Sequence, residues 1–302
     1  MLVFFDVHGI ISPVFTPIDH DGNVNLTIIP GYAAYLNEHN VDGILVGGTT
    51  GELASLNLDE RKELLGGWIK ETKPLGLKVI AQVGGMPLPD VIAMAKYASE
   101  VNADAIMTLP ELYFKPKTPT QLVDYLEVVS QAAPSLPLIY YHFPMMSGVD
   151  LNMADFFNLA STRIPNFKGM KADMGVALQV AKFFKEDQRI FIANHLLAPS
   201  VFLGHESSIA TVTNIFPDIV HDVVESTKAG DVTRAREGQE KLNRLVDAIA
   251  SQGDFVPSMK AAMELVTGIK VGPPRRPLAP IDDLHVRQLA ENLKHLDLEI
   301  HM

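Results

Sequence analysis

Short β-branched runs alternate with amphipathic helical stretches along most of this chain, and that alternation leaves few folds open. The runs lie at 10–15, 43–46, 78–83, 105–108, 138–141, 167–171, 190–193 and 208–211. Their residue types and length favour buried strands. Between them, stretches such as 58–71, 88–101, 120–132 and 176–184 are long enough to serve as crossover helices. Repetition of this unit implies a parallel sheet, and eight units close into a (β/α)8 barrel, with a doubly wound open sheet as the rival. After the eighth run the pattern is helical only, at 216–228, 231–251, 256–267 and 281–296. The expected organisation is therefore a barrel over 1–214 and a C-terminal helical extension over 215–302 packed on it. Between the last two helical stretches, Gly272-Pro273-Pro274-Arg275-Arg276-Pro277 excludes helix and reads as a rigid link.

Composition removes several function classes. In a chain of 302 residues, 47% hydrophobic and 20% charged residues describe a globular protein with a sizeable core. The net charge of −11 opposes phosphate backbones and anionic lipid surfaces, so neither nucleic acid nor membrane is an expected partner. With no cysteine, thiol nucleophiles, disulfides and cysteine-bound metals are excluded. The opening residues carry Asp6 where a secretory signal would be basic, and no run approaches the length of a spanning helix, which predicts a cytoplasmic protein.

In a parallel barrel, chemistry belongs at the carboxyl ends of the strands and in the loops that follow. The second run ends in Val46-Gly47-Gly48-Thr49-Thr50-Gly51-Glu52, where glycines allow close backbone approach and two hydroxyls face a ligand. The segment suits a small anion, lacks the Gly-Lys-Ser/Thr ending of a P-loop, and reads equally as a plain turn capped by Thr50. The fifth run ends in Tyr140 and Tyr141, of which only one can face the barrel axis, as a proton shuttle or as packing. The sixth, Phe167-Lys168-Gly169-Met170-Lys171, offers two lysines on opposite faces. Lys171 stands at the carboxyl end, where an inward amine is desolvated and can attack a carbonyl, whereas Lys168 is expected to point outward. The competing expectation is that both lysines extend to solvent. An amine nucleophile, a tyrosine and a carboxylate cradle together suggest a Schiff-base enzyme for 2-oxo acids. Gly48, in the cradle, and Thr211, closing the eighth run, complete the substrate-binding candidates there.

These segments, with Ile11-Ser12-Pro13-Val14-Phe15-Thr16-Pro17 at the start and Tyr141 to Gly148, resemble the N-acetylneuraminate lyase and dihydrodipicolinate synthase superfamily of pyruvate-dependent class I aldolases. The resemblance runs over essentially the whole chain and is stronger toward the sialate lyase branch. It implies a TIM barrel, a homotetramer, no cofactor, Lys171 as the imine-forming residue, Tyr141 as the proton relay, and Thr49 and Thr50 as the pair holding the pyruvate carboxylate. Pro110-Glu111-Leu112-Tyr113-Phe114-Lys115-Pro116 resembles the family segment that supplies a second relay tyrosine, here Tyr113, across a subunit contact, although Glu111 and Leu112 depart from the pattern. Met146 stands where dihydrodipicolinate synthases carry an arginine for the second substrate, which disfavours that activity.

Sialate lyases place an Asp-Glu pair after strand seven for the hydroxyls of the sugar chain; here Asn194 and His195 occupy that stretch. Both can bind a polyol, and both can serve a smaller or aromatic aldehyde. Asp173 falls where a hydroxyl residue is usual, as a candidate for stabilising a protonated amine or lining the acceptor pocket. His142, His195 and His205 lack metal-ligand spacing, so no metal is expected. The alternatives kept open are 2-keto-3-deoxygluconate or 4-hydroxy-2-oxoglutarate aldolase activity, a synthase-like condensation, a metal-dependent aldolase, and a non-catalytic ligand-binding barrel.

Overall fold

A computed structural model describes residues 3–301. Eight parallel strands pair in sequence order and close on themselves: β1 (Ile10–Pro13), β2 (Gly43–Val46), β3 (Lys78–Gly84), β4 (Ala105–Thr108), β5 (Leu138–Tyr141), β6 (Phe167–Ala172), β7 (Arg189–Ile192) and β8 (Ser208–Ile209). The open-sheet alternative is thereby removed. Alternation along each strand sorts side chains between two cores. Ile11, Leu45, Ile80, Met107, Ile139, Tyr141, Phe191 and Ile209 fill the lumen. Ile10, Ile44, Ile106, Leu138, Tyr140, Met170 and Ile190 face the surrounding helices.

Helices α1 (Ile29–Glu38), α2 (Leu58–Thr72), α3 (Leu88–Glu100), α4 (Pro119–Ala132), α5 (Pro144–Ser147), α6 (Met153–Arg163), α7 (Met174–Val180) and α8 (Leu197–Phe202) follow the first seven strands. Their starts are written locally. Asn57 and Glu60 form a reciprocal capping box on α2, and Thr118 caps α4 just before Pro119. After β8, α9 (Pro217–Lys228) packs on α8 and is tied to α1 by His39 Nδ1 to Asp218 at 2.8 Å, so it closes the ring of helices. Beyond it lie α10 (Val232–Ala250), α11 (Phe255–Thr267) and α12 (Asp283–His295).

Two expected strands are shorter than their sequence runs. β1 stops at Pro13, and β8 ends at Ile209 because Thr211–Asn214 winds into a 3-10 turn. Asn214 holds that turn, donating to Pro13 O at 2.9 Å and Thr211 O at 3.0 Å while accepting from the Tyr32 hydroxyl at 2.6 Å. Thr211 thus opens a turn and does not end a strand.

β6 requires Gly169. Its φ is +140°, and a Cβ there would lie 1.8 Å from the Arg189 carbonyl oxygen, so no other residue fits against β7. The pairing of β5 with β6 shifts at this point, and beyond the shift Tyr141 pairs with Lys171.

Candidate active site

Lys171 and Tyr141 reach the carboxyl end of the barrel from neighbouring strands, 5% and 3% exposed. Lys171 Nζ stands 4.1 Å from the centre of the Tyr141 ring. Among the described residues it has neither a hydrogen bond nor a carboxylate partner, which leaves the amine free to react. The Tyr141 ring is stacked on Phe143 at 5.8 Å, and its hydroxyl is 3.2 Å from Thr49 Oγ1. Of the adjacent tyrosines, Tyr141 therefore faces the axis. Tyr140 packs outward on Phe156, and burial pushes its hydroxyl far above the ordinary range.

Lys168 lies on the face opposite Lys171, as alternation requires, but not in solvent. It is buried and paired with Asp187, and that contact holds the Asp187 carboxyl below its usual range. The expectation that both lysines extend into water is corrected on both counts: a neighbouring carboxylate compensates the burial of Lys168, and the lumen encloses Lys171.

The turn after β2 completes one wall. Gly47 takes φ +76°, and a Cβ on Gly51 would meet Gly47 atoms at 3.2 Å, so the loop folds tightly on itself. Thr50 is buried and its hydroxyl is 2.8 Å from that of Thr211, which joins the turn to the 3-10 turn that follows β8. Gly48 is buried beneath, accepting through its carbonyl from Leu53 N–H at 3.3 Å. The N–H groups of Thr49 and Thr50 bond to no backbone carbonyl among the described residues. Two hydroxyls and two such amides at one turn can receive a carboxylate.

The remaining candidates are more dispersed. Asn194 Oδ1 accepts from Leu196 N–H at 3.0 Å, turning the chain after β7, and His195 is half-buried, which lowers its imidazole below the usual range. Asp173 is exposed and caps α7 by accepting from Val176 N–H at 2.9 Å, with no bond to Lys171. Tyr113 is 73% exposed and touches Phe114 edge-on; no hydrogen bond joins it to Tyr141 or Thr49 among the described residues. No three histidine, aspartate or glutamate side chains converge as a metal site among those residues.

Two groups that support the site lie outside the sequence motifs. Gln239, on α10, accepts from the N–H groups of Leu197 at 2.8 Å and Ala198 at 3.0 Å, and donates to His195 O at 2.7 Å, fixing the 194–198 loop. Lys260, on α11, pairs with Glu52 at 2.7 Å. Lys260 had a detectable signal, being the one basic residue of an otherwise largely apolar helix; Gln239 had none.

Residues 6–296 match the dihydrodipicolinate synthetase family. The chain belongs to that family. Among its relatives, the N-acetylneuraminate lyase of Danio rerio is 32% identical over 292 residues, covering 94% of this chain and 95% of its own. The N-acetylneuraminate lyase of Homo sapiens is 29% identical over 297 residues, covering 96% and 93%. A solved structure of the family, Proteus mirabilis N-acetylneuraminate lyase, superposes with a TM-score of 0.91 at 27% identity over 97% of this chain and 99% of that one. Among the described residues, no helix is long and apolar enough to cross a membrane.

Proposed function

We propose that this chain, a carbon–carbon lyase, is a Schiff-base class I aldolase cleaving a 4-hydroxy-2-oxo acid to pyruvate and an aldehyde, with N-acetylneuraminate as leading substrate on the names of its relatives. The observation that carries the reading is the buried Lys171 amine, unpaired among the described residues, beside Tyr141, whose hydroxyl continues to Thr49. A lysine held this way, away from carboxylates and bulk water, is placed to act as a nucleophile.

In the proposed sequence, the substrate carboxylate rests on the hydroxyls and amides of Thr49 and Thr50, with Thr211 holding the Thr50 hydroxyl from behind. The Lys171 nitrogen adds through its lone pair to the C2 carbonyl, and the carbinolamine takes up a proton from solvent as water leaves, giving a protonated imine. The Tyr141 oxygen takes the proton of the C4 hydroxyl, the C3–C4 bond breaks, and its electron pair flows into the iminium to form an enamine as the aldehyde departs. Return of a proton to C3 and hydrolysis of the imine release pyruvate and restore the amine. Thr49, 3.2 Å from the Tyr141 oxygen, passes protons onward.

Asn194 and His195 face the aldehyde portion. Because the Asn194 oxygen is engaged in its own turn, its amide N–H and the His195 ring remain for substrate hydroxyls. This thinner polar set, without carboxylates, supports a second reading in which a shorter 2-oxo acid is preferred. The chain acts in the cytoplasm as a homotetramer in this proposal, and the exposed aromatic pair Tyr113 and Phe114 supplies a subunit contact through which Tyr113 completes a neighbour's relay.

Pyruvate release, coupled to lactate dehydrogenase, tests the reaction across N-acetylneuraminate, 2-keto-3-deoxygluconate and 4-hydroxy-2-oxoglutarate. Fastest release from N-acetylneuraminate is expected. Much faster release from a shorter acid would transfer the assignment to the second reading, and chelator should change neither.

A further inference from the structure

Glu52 lies two positions beyond Thr50 in the carboxylate turn and adopts a left-handed backbone, φ 55° and ψ 36°. A non-glycine residue persists there only when its surroundings hold it. Its side chain is 2% exposed, as is that of Lys260, and each polar side-chain atom of the pair is hydrogen-bonded. Glu52 Oε1 accepts from Lys260 Nζ at 2.7 Å and Oε2 from Arg275 N–H at 2.7 Å. Lys260 Nζ gives its other protons to Thr16 O at 3.1 Å and Pro273 O at 2.9 Å. Thr16 in turn donates through its hydroxyl to Gly51 O at 2.6 Å. The Arg275 guanidinium extends the cage, donating to Glu60 at 2.8 Å, Ser55 O at 3.0 Å and Gly22 O at 2.8 Å.

The turn that presents Thr49 and Thr50 is thus gripped from behind by α11 and the proline-rich link. We infer that Glu52 and Lys260 are positioning residues that set the carboxylate turn, so that the C-terminal helices are part of the 2-oxo-acid site. This rests on the aldolase reading above. Lys260 is not a second nucleophile, since its buried amine is saturated by three acceptors. A buried pair of this kind costs desolvation on both partners, so burial alone does not explain it; fixing one backbone conformation does.

The test compares wild type with Lys260→Met and with the double variant Glu52→Gln/Lys260→Met, which leaves no unpaired charge if the single variant fails to fold. Borohydride trapping is titrated with pyruvate and, in parallel, with hydroxyacetone, a carbonyl compound without a carboxylate. The expected result is a rise of about tenfold or more in half-saturating pyruvate with the hydroxyacetone titration unchanged, because only the carboxylate contacts are displaced. A purely structural pair would lower the melting temperature and leave the ratio of the two titrations at its wild-type value, which would overturn the inference while the aldolase reading stood. Absence of any pyruvate adduct in wild type would overturn both. If neither variant folds, hydrogen exchange on the wild-type enzyme decides: pyruvate should slow exchange in 47–53 and in 269–276 together, and protection confined to the turn contradicts the clamp.

Discussion

Lys171 Nζ lies 4.1 Å from the centre of the Tyr141 ring, and the two residues are paired directly across β5 and β6. The Gly169 irregularity precedes this pair, so the strands below it do not set its register. An amine against an aromatic face at the carboxyl end of an apolar lumen is shielded from water.

Replacing Tyr141 by Phe keeps the ring that stacks on Phe143 and removes only the hydroxyl. Turnover should fall by about a hundredfold or more while imine formation with pyruvate survives. Steady-state pyruvate release measured beside borohydride trapping separates the two, and near-normal turnover would make Tyr141 a packing residue.

Thr211→Val leaves the Thr50 hydroxyl without its partner at 2.8 Å but removes no group from the carboxylate itself. A higher KM for the 2-oxo acid with a much smaller change in kcat is expected, and Thr50→Val should raise KM further. Equal effects of both variants on kcat alone would place the pair outside substrate binding.

Gln239→Ala leaves the Ala198 N–H of α8 without its acceptor and the Leu197 N–H with His195 O alone, at 3.0 Å, and should cost about 1–3 kcal/mol of stability, read by denaturant unfolding. Because the same side chain holds His195 O at 2.7 Å, the variant should also weaken binding of the aldehyde portion and leave pyruvate trapping unchanged. Loss of trapping to the same degree would contradict this division of the site.

Burial lowers the imidazoles of His142, His195 and His205 below their ordinary range. Each binds fewer protons folded than unfolded, so their contribution to stability is complete above the unfolded value of about 6.5 and declines as pH falls below it. Melting temperature measured between pH 7.5 and 5 should fall toward acid, and His142→Phe should flatten part of that slope.

The barrel was legible because strand composition and helix capping are local: the runs at 43–46, 105–108 and 138–141 coincide with β2, β4 and β5. So was the lumenal lysine, since alternation and position on β6 select Lys171. What escaped is what local pattern does not contain. Lys168 has a partner 19 residues away in Asp187, and Glu52 has one 208 residues away in Lys260, so neither pairing has a periodic signature. In sequence Thr211 reads as strand because its β-branched neighbours favour one, whereas Asn214 bonds the segment into a turn. Asp173 reads as an acceptor-site carboxylate in sequence but spends an oxygen on the first turn of α7.

Identification of the residue that forms the imine tests the aldolase proposal most directly. The intact protein is treated with pyruvate and borohydride, digested, and mapped by mass spectrometry, with Lys171→Ala alongside. A single pyruvyl-sized adduct on the peptide holding Lys171, lost together with turnover in Lys171→Ala, is the expected result. An adduct on Lys168 or Lys260, or turnover without any adduct, would contradict it.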